Sequence, residues 1–137
     1  MPAENKQIVR DFIEQVVNAV ALQAMDQFVA EAIIDHNNAP GSPQGIEVYK
    51  EHLSAVFHTY QDFCLTIEDQ FLDGNYVITR ITATGIHQNE WLGLKPTGTS
   101  ITLTGINIDR IKNGKIVEHW DVLQAIPETA ANANTMF

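Results

Sequence analysis

A histidine and an aspartate lie two residues apart in the segment GKIVEHWDVLQ (114–124), which otherwise has the apolar, β-branched character of a buried strand. Because side chains alternate between the faces of a strand, His119 and Asp121 point the same way. The same face carries apolar residues at both ends, namely Val117, Leu123 and Ala125. Apolar surroundings disfavour a charged carboxylate, so the segment indicates acid/base chemistry. A carboxylate that is satisfied by a neighbouring donor, or that lies on an exposed strand end, would give the same pattern.

The preceding segment, ITLTGINIDRI (101–111), adds a second polar group. By the same alternation, Asn107 and Asp109 share one face with Leu103 and Gly105. Asn107 could bind a carbonyl oxygen or orient a carboxylate, and a simple cross-strand hydrogen bond would account for it equally well.

Three further polar positions are candidates for substrate binding. His36 lies in DHNN at the end of a predicted helix, where a capping or surface role is the alternative. His87 ends a predicted strand close to Trp91, so an imidazole and an indole could line the mouth of a pocket. Arg80 lies within a strand and could pair with a carboxylate across the sheet or extend along the surface.

The first half of the chain has the periodicity of helices. Apolar residues at helical spacing predict a first helix over 4–20 and a shorter second helix over 22–33. The segment DHNNAPGSPQG then interrupts the pattern with prolines and glycines. A third helix is predicted over about 45–60, with apolar residues, Tyr49 among them, on one side and charged residues on the other.

The second half has the pattern of an antiparallel sheet. Strands are predicted over 63–72, 76–87, 101–111 and 116–126, and KNGK (112–115) predicts a type I′ hairpin between the last two. Glycines inside strands, Gly85 and Gly105, are typical of bends or bulges. A bent sheet of this kind can wrap around helices and leave an internal cavity.

Composition limits the classes of function. The 137 residues predict one domain, 1–137, with 127–137 as a small, polar C-terminal tail. The formal net charge of −9 and the lack of a basic cluster argue against nucleic acid as a partner. No apolar run has the length of a membrane span or of a signal peptide, so we expect no membrane partner and a cytoplasmic location.

Motifs for metals and cofactors are lacking in the sequence. The single cysteine, Cys64, cannot form an internal disulfide, and its neighbours in DFCLTI predict a buried thiol. The histidines have no ligand-pair spacing, and there is no GxGxxG, P-loop, HExxH or GxSxG motif. We therefore expect neither a metal nor a cofactor.

Four local patterns together resemble the SnoaL-like polyketide cyclase family, within the NTF2-like superfamily. They are the TG.H strand end, the GLKPTG loop, the GI.I.RI..GKI.EHWD hairpin and the DHN after the second helix. The resemblance implies a strongly curved sheet around a deep apolar cavity, and intramolecular aldol condensation without metal or cofactor. It assigns the acid/base to Asp121 and implies that side chains at His36, His87, Asn107 and His119 line the cavity. Family members often carry another Asp three residues later, where this chain has Gln124.

These observations predict an α+β, NTF2-like cone in which three N-terminal helices pack on a curved, mostly antiparallel sheet. The function we expect is that of a cyclase, lyase or isomerase acting on a small apolar or aromatic carbonyl compound. Asp121 would be the base, His119 and His87 would assist, and His36, Asn107, Trp91 and Arg80 would contact the substrate. One alternative is a binding domain without turnover. Another is an epoxide hydrolase, in which Arg80 would have to face Asp121.

We also expect a homodimer or higher homo-oligomer, because a domain of this shape leaves one face of its sheet to be covered. The strand face opposite Asp121 is predicted to carry Ile116, Glu118, Trp120, Val122 and Ile126. Trp120, Val122 and Ile126 are the residues expected at the interface.

Overall fold

The structure is a computed structural model that describes residues 2–90 and 95–125. The predicted interface residue Ile126, the tail 127–137 and the candidate Trp91 lie outside the described residues. The elements, in chain order, are α1 (Pro2–Phe12), a π-helical turn (Ile13–Val17), a 3-10 helix (Leu22–Gln27), β1 (Val29–Asp35), α2 (Ile46–Thr59), β2 (Tyr60–Asp73), β3 (Tyr76–His87), β4 (Ser100–Lys112) and β5 (Lys115–Ala125).

Helix α1 and the π-helical turn form the first predicted helix. Its apolar stripe is buried as the periodicity predicted, at Val9, Phe12, Ile13, Val16 and Val17. The helical segment ends earlier than residue 20, since Val20 is 58% exposed and has a positive φ of 52°. The stripe packs into one hydrophobic cluster with α2 and the concave side of the sheet.

The predicted second helix, 22–33, is wrong over most of its length. Only Leu22–Gln27 is helical, as a 3-10 helix, and Val29–Asp35 is strand β1. This strand pairs in parallel with β5, which joins Asp35 to His119. The physical reason is tertiary, because the edge of β5 offers backbone partners that outweigh the weak local preference of VAEAIID for a helix.

The five strands form one sheet in the order β1-β5-β4-β3-β2. The pairs other than β1–β5 are antiparallel, so the α+β class and the mostly antiparallel sheet are confirmed. The sheet is curled around the helices without closing into a barrel. The hairpin between β4 and β5 is the predicted one, with φ of 52° at Asn113 and 76° at Gly114.

Gly85 lies at a bend of the sheet. The register between β2 and β3 shifts between Gln61 and Cys64, opposite Gly85, and Asp62 there has a positive φ of 56°. A Cβ on Gly85 would lie 3.0 Å from Cβ of Tyr60, so the bulged strand can approach only because the side chain is missing. The prediction that this glycine marks a bulge is confirmed.

Two burial predictions are corrected. Ile116 was expected beside Glu118 on the outer face, but it is 1% exposed and belongs to the core. The register shift between Arg110 and Ile111 puts an extra residue into β5 between Ile116 and Glu118, which turns Ile116 inward. Cys64, expected to be buried, is exposed because it lies in the irregular stretch of β2.

Candidate active site

A cavity of about 110 Å³ lies between the helices and the concave face of the sheet. Most of its wall is apolar and comes from both helical segments and from β2. One side, formed by β4, β5 and α2, is polar. The lining residues that matter for the chemistry are Tyr49, Asn107, Asp109, His119 and Asp121. An apolar pocket with a few convergent polar groups is the usual form of a small-molecule site.

Strand pairing explains why these polar groups meet. In the β4–β5 hairpin, Asp109 lies opposite His119 and Asn107 lies opposite Asp121. On the other side of β5, the parallel strand β1 sets Asp35 beside His119. Residues paired across a sheet share a face, so one row of the sheet presents a carboxylate, an imidazole and a second carboxylate to the interior.

His119 is held between two carboxylates. Its Nδ1 donates to Oδ1 of Asp109 at 2.6 Å, and its Nε2 donates to Oδ2 of Asp121 at 2.8 Å. Asp109 is 3% exposed and His119 is 6% exposed, so the first of these pairs is fully buried. Both ring nitrogens are therefore committed, and the imidazole cannot turn without losing a charge-assisted hydrogen bond.

The charge of His119 follows from these contacts. Burial by itself would lower the pKa of His119, but the carboxylates of Asp109 and Asp121 raise it to about 10. The ring is thus an imidazolium at neutral pH, and it donates both hydrogen bonds. The three groups together carry one negative charge when both carboxylates are ionised.

Asp121 is the member of this chain that reaches the cavity. Its side chain is 29% exposed, and its Oδ2 accepts from His119. Within residues 2–90 and 95–125, its Oδ1 makes no hydrogen bond. Asn37 supports the backbone here, since its Oδ1 accepts from the amide nitrogen of Asp121 at 3.3 Å. The predicted common face of His119 and Asp121 is thus present, and it faces the cavity.

Asn107, the neighbour of Asp121 on β4, is 9% exposed and also lines the cavity. Its side-chain amide makes no hydrogen bond to another described residue. The cross-strand hydrogen bond that would explain this residue structurally is therefore not formed there. The amide is free to bind a ligand.

Sequence reasoning missed two polar groups, Asp35 beside His119 and Tyr49 in the cavity wall. Asp35 is 7% exposed, accepts from the amide of Asn37 at 3.0 Å, and has its Oδ2 3.6 Å from Nδ1 of His52. Because a helix was predicted over 22–33, there was no reason to place Asp35 on a strand beside His119. Tyr49 was taken as one more apolar residue on the inner side of α2. A polar tip on an otherwise apolar helix face was the signal that could have identified it.

His87 lies on the concave face but outside this cavity. It is 6% exposed, its ring centroid is 5.4 Å from that of Tyr60, and its Nε2 is buried without a hydrogen-bond partner in the described residues. It belongs to the far end of β3, beyond Ile81, which does line the cavity. The structure thus separates His87 from the His119–Asp121 pair.

His36 and Arg80 lie on the outer side of the sheet. His36 follows β1 and stacks on Trp120, with ring centroids 4.3 Å apart and an interplanar angle of 3°, and its Nε2 is 2.8 Å from Oε2 of Glu118. Arg80 binds Asp69 through Nε at 3.0 Å and through Nη2 at 2.7 Å. Arg80 therefore does not face Asp121, as the epoxide-hydrolase alternative requires.

Metal-ligand clusters and membrane-spanning helices are both lacking in the described part of the chain. Among the described residues, no group of three or more His, Cys, Asp or Glu side chains has a geometry that could hold a metal ion. In the same part of the chain, no helix has the length and apolar character needed to cross a membrane.

Several solved structures share this fold. IdmH of Streptomyces antibioticus, whose proposed activity is polyketide cyclisation, is 26% identical with a TM-score of 0.76, over 88% of this chain and 91% of its own. AclR of Streptomyces galilaeus, whose proposed activity is hydroxylation, is 25% identical with a TM-score of 0.77, over 93% of this chain and 83% of its own. TsrD of Streptomyces laurentii has a TM-score of 0.81 at 22% identity, over 90% of each chain, which shows the fold alone.

No curated protein matches this chain significantly. The model of the SnoaL-like polyketide cyclase family matches residues 7–131, which include both helices and all five strands except for the first residues of α1. The chain therefore belongs to the SnoaL-like polyketide cyclase family, and its fold is NTF2-like.

Proposed function

We propose that this protein is a cofactor-independent acid/base enzyme that removes a proton α to a carbonyl group of a small, uncharged substrate. The observation that supports this most directly is the hydrogen-bonded chain Asp109–His119–Asp121, which ends at the apolar cavity with one carboxylate oxygen free. A general base must have a free lone pair within reach of the substrate and a fixed orientation, and Asp121 has both.

In this proposal His119 positions the base. The imidazolium fixes the orientation of Asp121 through its hydrogen bond to Oδ2, and Asp109 in turn fixes the imidazolium. The α C–H bond breaks, the proton goes to Oδ1 of Asp121, and the electron pair forms the enolate. The amide of Asn107, which is free and adjacent, donates to the enolate oxygen.

Ring closure completes the reaction of the cyclase type. The enolate carbon attacks a second carbonyl group of the same molecule, a C–C bond forms, and the protonated Asp121 returns its proton to the new alkoxide. Apolar walls that hold the two reacting carbons close together supply much of the rate, because the entropy of bringing them together is lost on binding and not in the reaction step.

Cavity size and charge restrict the substrate. About 110 Å³ is well below the roughly 300–1,000 Å³ of sites for drug-sized ligands, so the cavity fits a small molecule or the reacting end of a larger one. Of the described residues that line the cavity, none is a lysine or an arginine, whereas Asp109 and Asp121 are among them. This charge distribution favours a neutral carbonyl compound over a carboxylate or a phosphate ester.

Hydrogen exchange tests the proton transfer without knowledge of the natural substrate. Cyclohexanone and 1-indanone exchange their α protons slowly in neutral D2O, and loss of the α-proton signal in NMR spectra gives the rate. We expect the protein to accelerate exchange, and Asp121→Asn to reduce the acceleration about 100- to 10,000-fold while leaving the fold intact. Asp69→Asn, on the outer face, is the matched control and should exchange as the unaltered protein does.

The same experiment separates the alternatives. Ketones that bind, as seen by line broadening, without any exchange above the buffer rate would indicate a binding domain and would contradict the proposal. Styrene oxide, incubated in parallel, would be converted to its diol by an epoxide hydrolase. Because Arg80 lies on the outer face, we expect no such conversion.

We further propose that two copies of the chain associate through the outer face of the sheet. Exposed apolar side chains lie there on β2, β3 and β5, with Phe71 58% and Val122 65% exposed and Tyr76 40% exposed. Trp120 lies among them, with its ring centroid 6.1 Å from that of Tyr76. A contiguous apolar patch of this kind is typical of an interaction surface.

A further inference from the structure

Tyr49 is the group on the helix side of the cavity that could act on a substrate. It is 8% exposed, and its ring packs edge-on against His119, with centroids 5.6 Å apart and planes at 89°. On its other side it contacts Phe12, with centroids 6.2 Å apart. These two contacts fix the ring at the boundary between the apolar wall and the polar wall.

The hydroxyl group of Tyr49 lies at the cavity without a hydrogen-bond partner in the described part of the chain. Within residues 2–90 and 95–125 its Oη makes no hydrogen bond, although the side chain is more than nine-tenths buried and lines the cavity. A buried tyrosine hydroxyl usually finds a partner, since leaving a buried donor unsatisfied costs about 1–3 kcal/mol. A free hydroxyl at the cavity wall therefore fits a group that is satisfied by a bound ligand.

The proton of this hydroxyl is firmly held. Burial, and then the negative charges of Asp109, Asp35 and Asp121, raise the pKa of Tyr49 well above its usual value of 10.0. Tyr49 is therefore a hydrogen-bond donor throughout the neutral range, and it does not become a phenolate.

The reaction proposed above requires more donors than β4 and β5 provide. An enolate oxygen accepts two or three hydrogen bonds, and both nitrogens of His119 are committed to carboxylates. Asn107 supplies one donor from the sheet. Among the described residues that line the cavity, the hydroxyl on α2 is the remaining donor at the polar wall.

We infer that Tyr49 donates a hydrogen bond to the reacting carbonyl oxygen of the substrate, and that this hydrogen bond strengthens as the oxygen becomes an enolate. The inference rests on the proton-transfer function proposed above, because it assumes that charge develops on that oxygen. Tyr49 keeps its proton throughout, and the substrate α proton goes to Asp121.

The test compares Tyr49→Phe with Tyr76→Phe, which removes the same atom from a ring on the outer face. Two measurements are made with 1-indanone as the probe. The first is the rate of α-proton exchange in D2O. The second is the infrared stretching frequency of a ¹³C-labelled carbonyl group in the bound ketone, which falls when the oxygen accepts a hydrogen bond.

We expect Tyr49→Phe to slow exchange about 100-fold at saturating ketone, with little change in the concentration needed for half saturation. The carbonyl band should rise in frequency in Tyr49→Phe, while Tyr76→Phe leaves both measurements unchanged. A carbonyl band that is the same in the unaltered protein and in Tyr49→Phe, or that shows no bound form in either, overturns the inference.

The infrared result also distinguishes this inference from the proposed function. If the unaltered protein shows no exchange but the band still shifts in Tyr49→Phe, Tyr49 is a ligand donor and the proton-transfer function is wrong. If exchange is fast, depends on Asp121 and is within about two-fold of normal in Tyr49→Phe, the function stands and the role of Tyr49 is wrong.

Discussion

The two faces of strand β5 differ in a way that reverses the usual amphipathic pattern. The concave face, covered by helices, carries His119 and Asp121, whereas the convex face carries Trp120 and Val122, the latter 65% exposed. In an ordinary sheet with one solvated face, the apolar residues point inward and the polar residues point outward.

Each half of this reversal has a physical meaning. Charged groups on the covered face persist only because they are paired, as His119 is with two carboxylates, and such an arrangement is typical of a functional site. Apolar groups on the open face are unfavourable while they contact water, and covering them with another surface lowers the free energy. One strand therefore serves a reaction on one side and, in our proposal, association on the other.

Removal of the buried charge partner is the strongest test of the inner face. Asp109→Asn leaves the imidazolium of His119 without its fully buried counter-ion, and we expect the free energy of unfolding to fall by about 3 kcal/mol. Urea unfolding followed by circular dichroism measures the change. Asp69→Asn breaks the exposed pair with Arg80 on the outer side and should cost less than about 1 kcal/mol. Equal losses in the two variants would contradict the contrast between the faces.

Gly105→Ala tests how closely the site is packed. A Cβ at this position would clash with Leu123, whose side chain lines the cavity, and would lie 2.7 Å from the carbonyl oxygen of Val122. Because the backbone of β5 must move, we expect a loss of about 1–3 kcal/mol in unfolding free energy. Gly74→Ala is the comparison for a glycine with open space around it, although its positive φ of 60° adds strain of its own. If Gly105→Ala is as stable as the unaltered protein, β5 can move away from β4 at little cost, and the site is not closely packed.

The pH dependence of stability provides a graded test of the same face. The pKa of His119 is about 10 in the folded protein and 6.5 in the unfolded chain, so the folded state binds this proton more tightly. The resulting stabilisation is complete below about pH 6.5 and is lost as the pH rises through about 10. Urea unfolding at intervals over this range should show a steady fall. The fall should be smaller in Asp109→Asn, and a flat profile in the unaltered protein would contradict a charged His119.

The substitution that we expect to change the stability of the single chain least lies on the outer face of the sheet. Trp120→Glu puts a charge into the apolar patch and should weaken self-association with little effect on the stability of the single chain. Sedimentation velocity over a range of concentrations measures it. Thr84→Glu, at an exposed position of β3, is the control. A sedimentation profile that Trp120→Glu leaves unchanged would rule out this interface.

Short sequence patterns were sufficient to predict most strands of the sheet. The bounds of β3 and the hairpin at Asn113 and Gly114 follow from β-branched composition and turn chemistry, which act over a few residues. The common face of His119 and Asp121 follows from strand alternation, because no irregularity separates them. The inward position of Ile116 does not follow from strand alternation. A bulge shifts the alternation there by one residue, and a bulge leaves no clear mark in the sequence.

The other parts of the site depend on distant contacts. Strand β1 forms because β5 is beside it, so neither the strand nor the place of Asp35 could be predicted from VAEAIID alone. The outward position of Arg80 required the register of β3 against β4, in which Thr79 and not Arg80 lies opposite Asn107. Tyr49 was recognisable only as an inner residue of α2, and its hydroxyl acquires meaning from the groups around it.

The parallel pairing of β1 with β5 has a consequence for folding. It sets Asp35 beside His119, although the two residues are more than 80 positions apart in the chain. Contacts at such sequence separation carry a large loop-closure cost and form late in folding. A chain that has closed only its β2–β5 meander already holds Asp109, His119 and Asp121 together, because all three lie on β4 and β5, but the edge of β5 that pairs with β1 is open to water. Docking of β1 covers that edge and completes the burial of His119, which strengthens its hydrogen bonds to the two carboxylates.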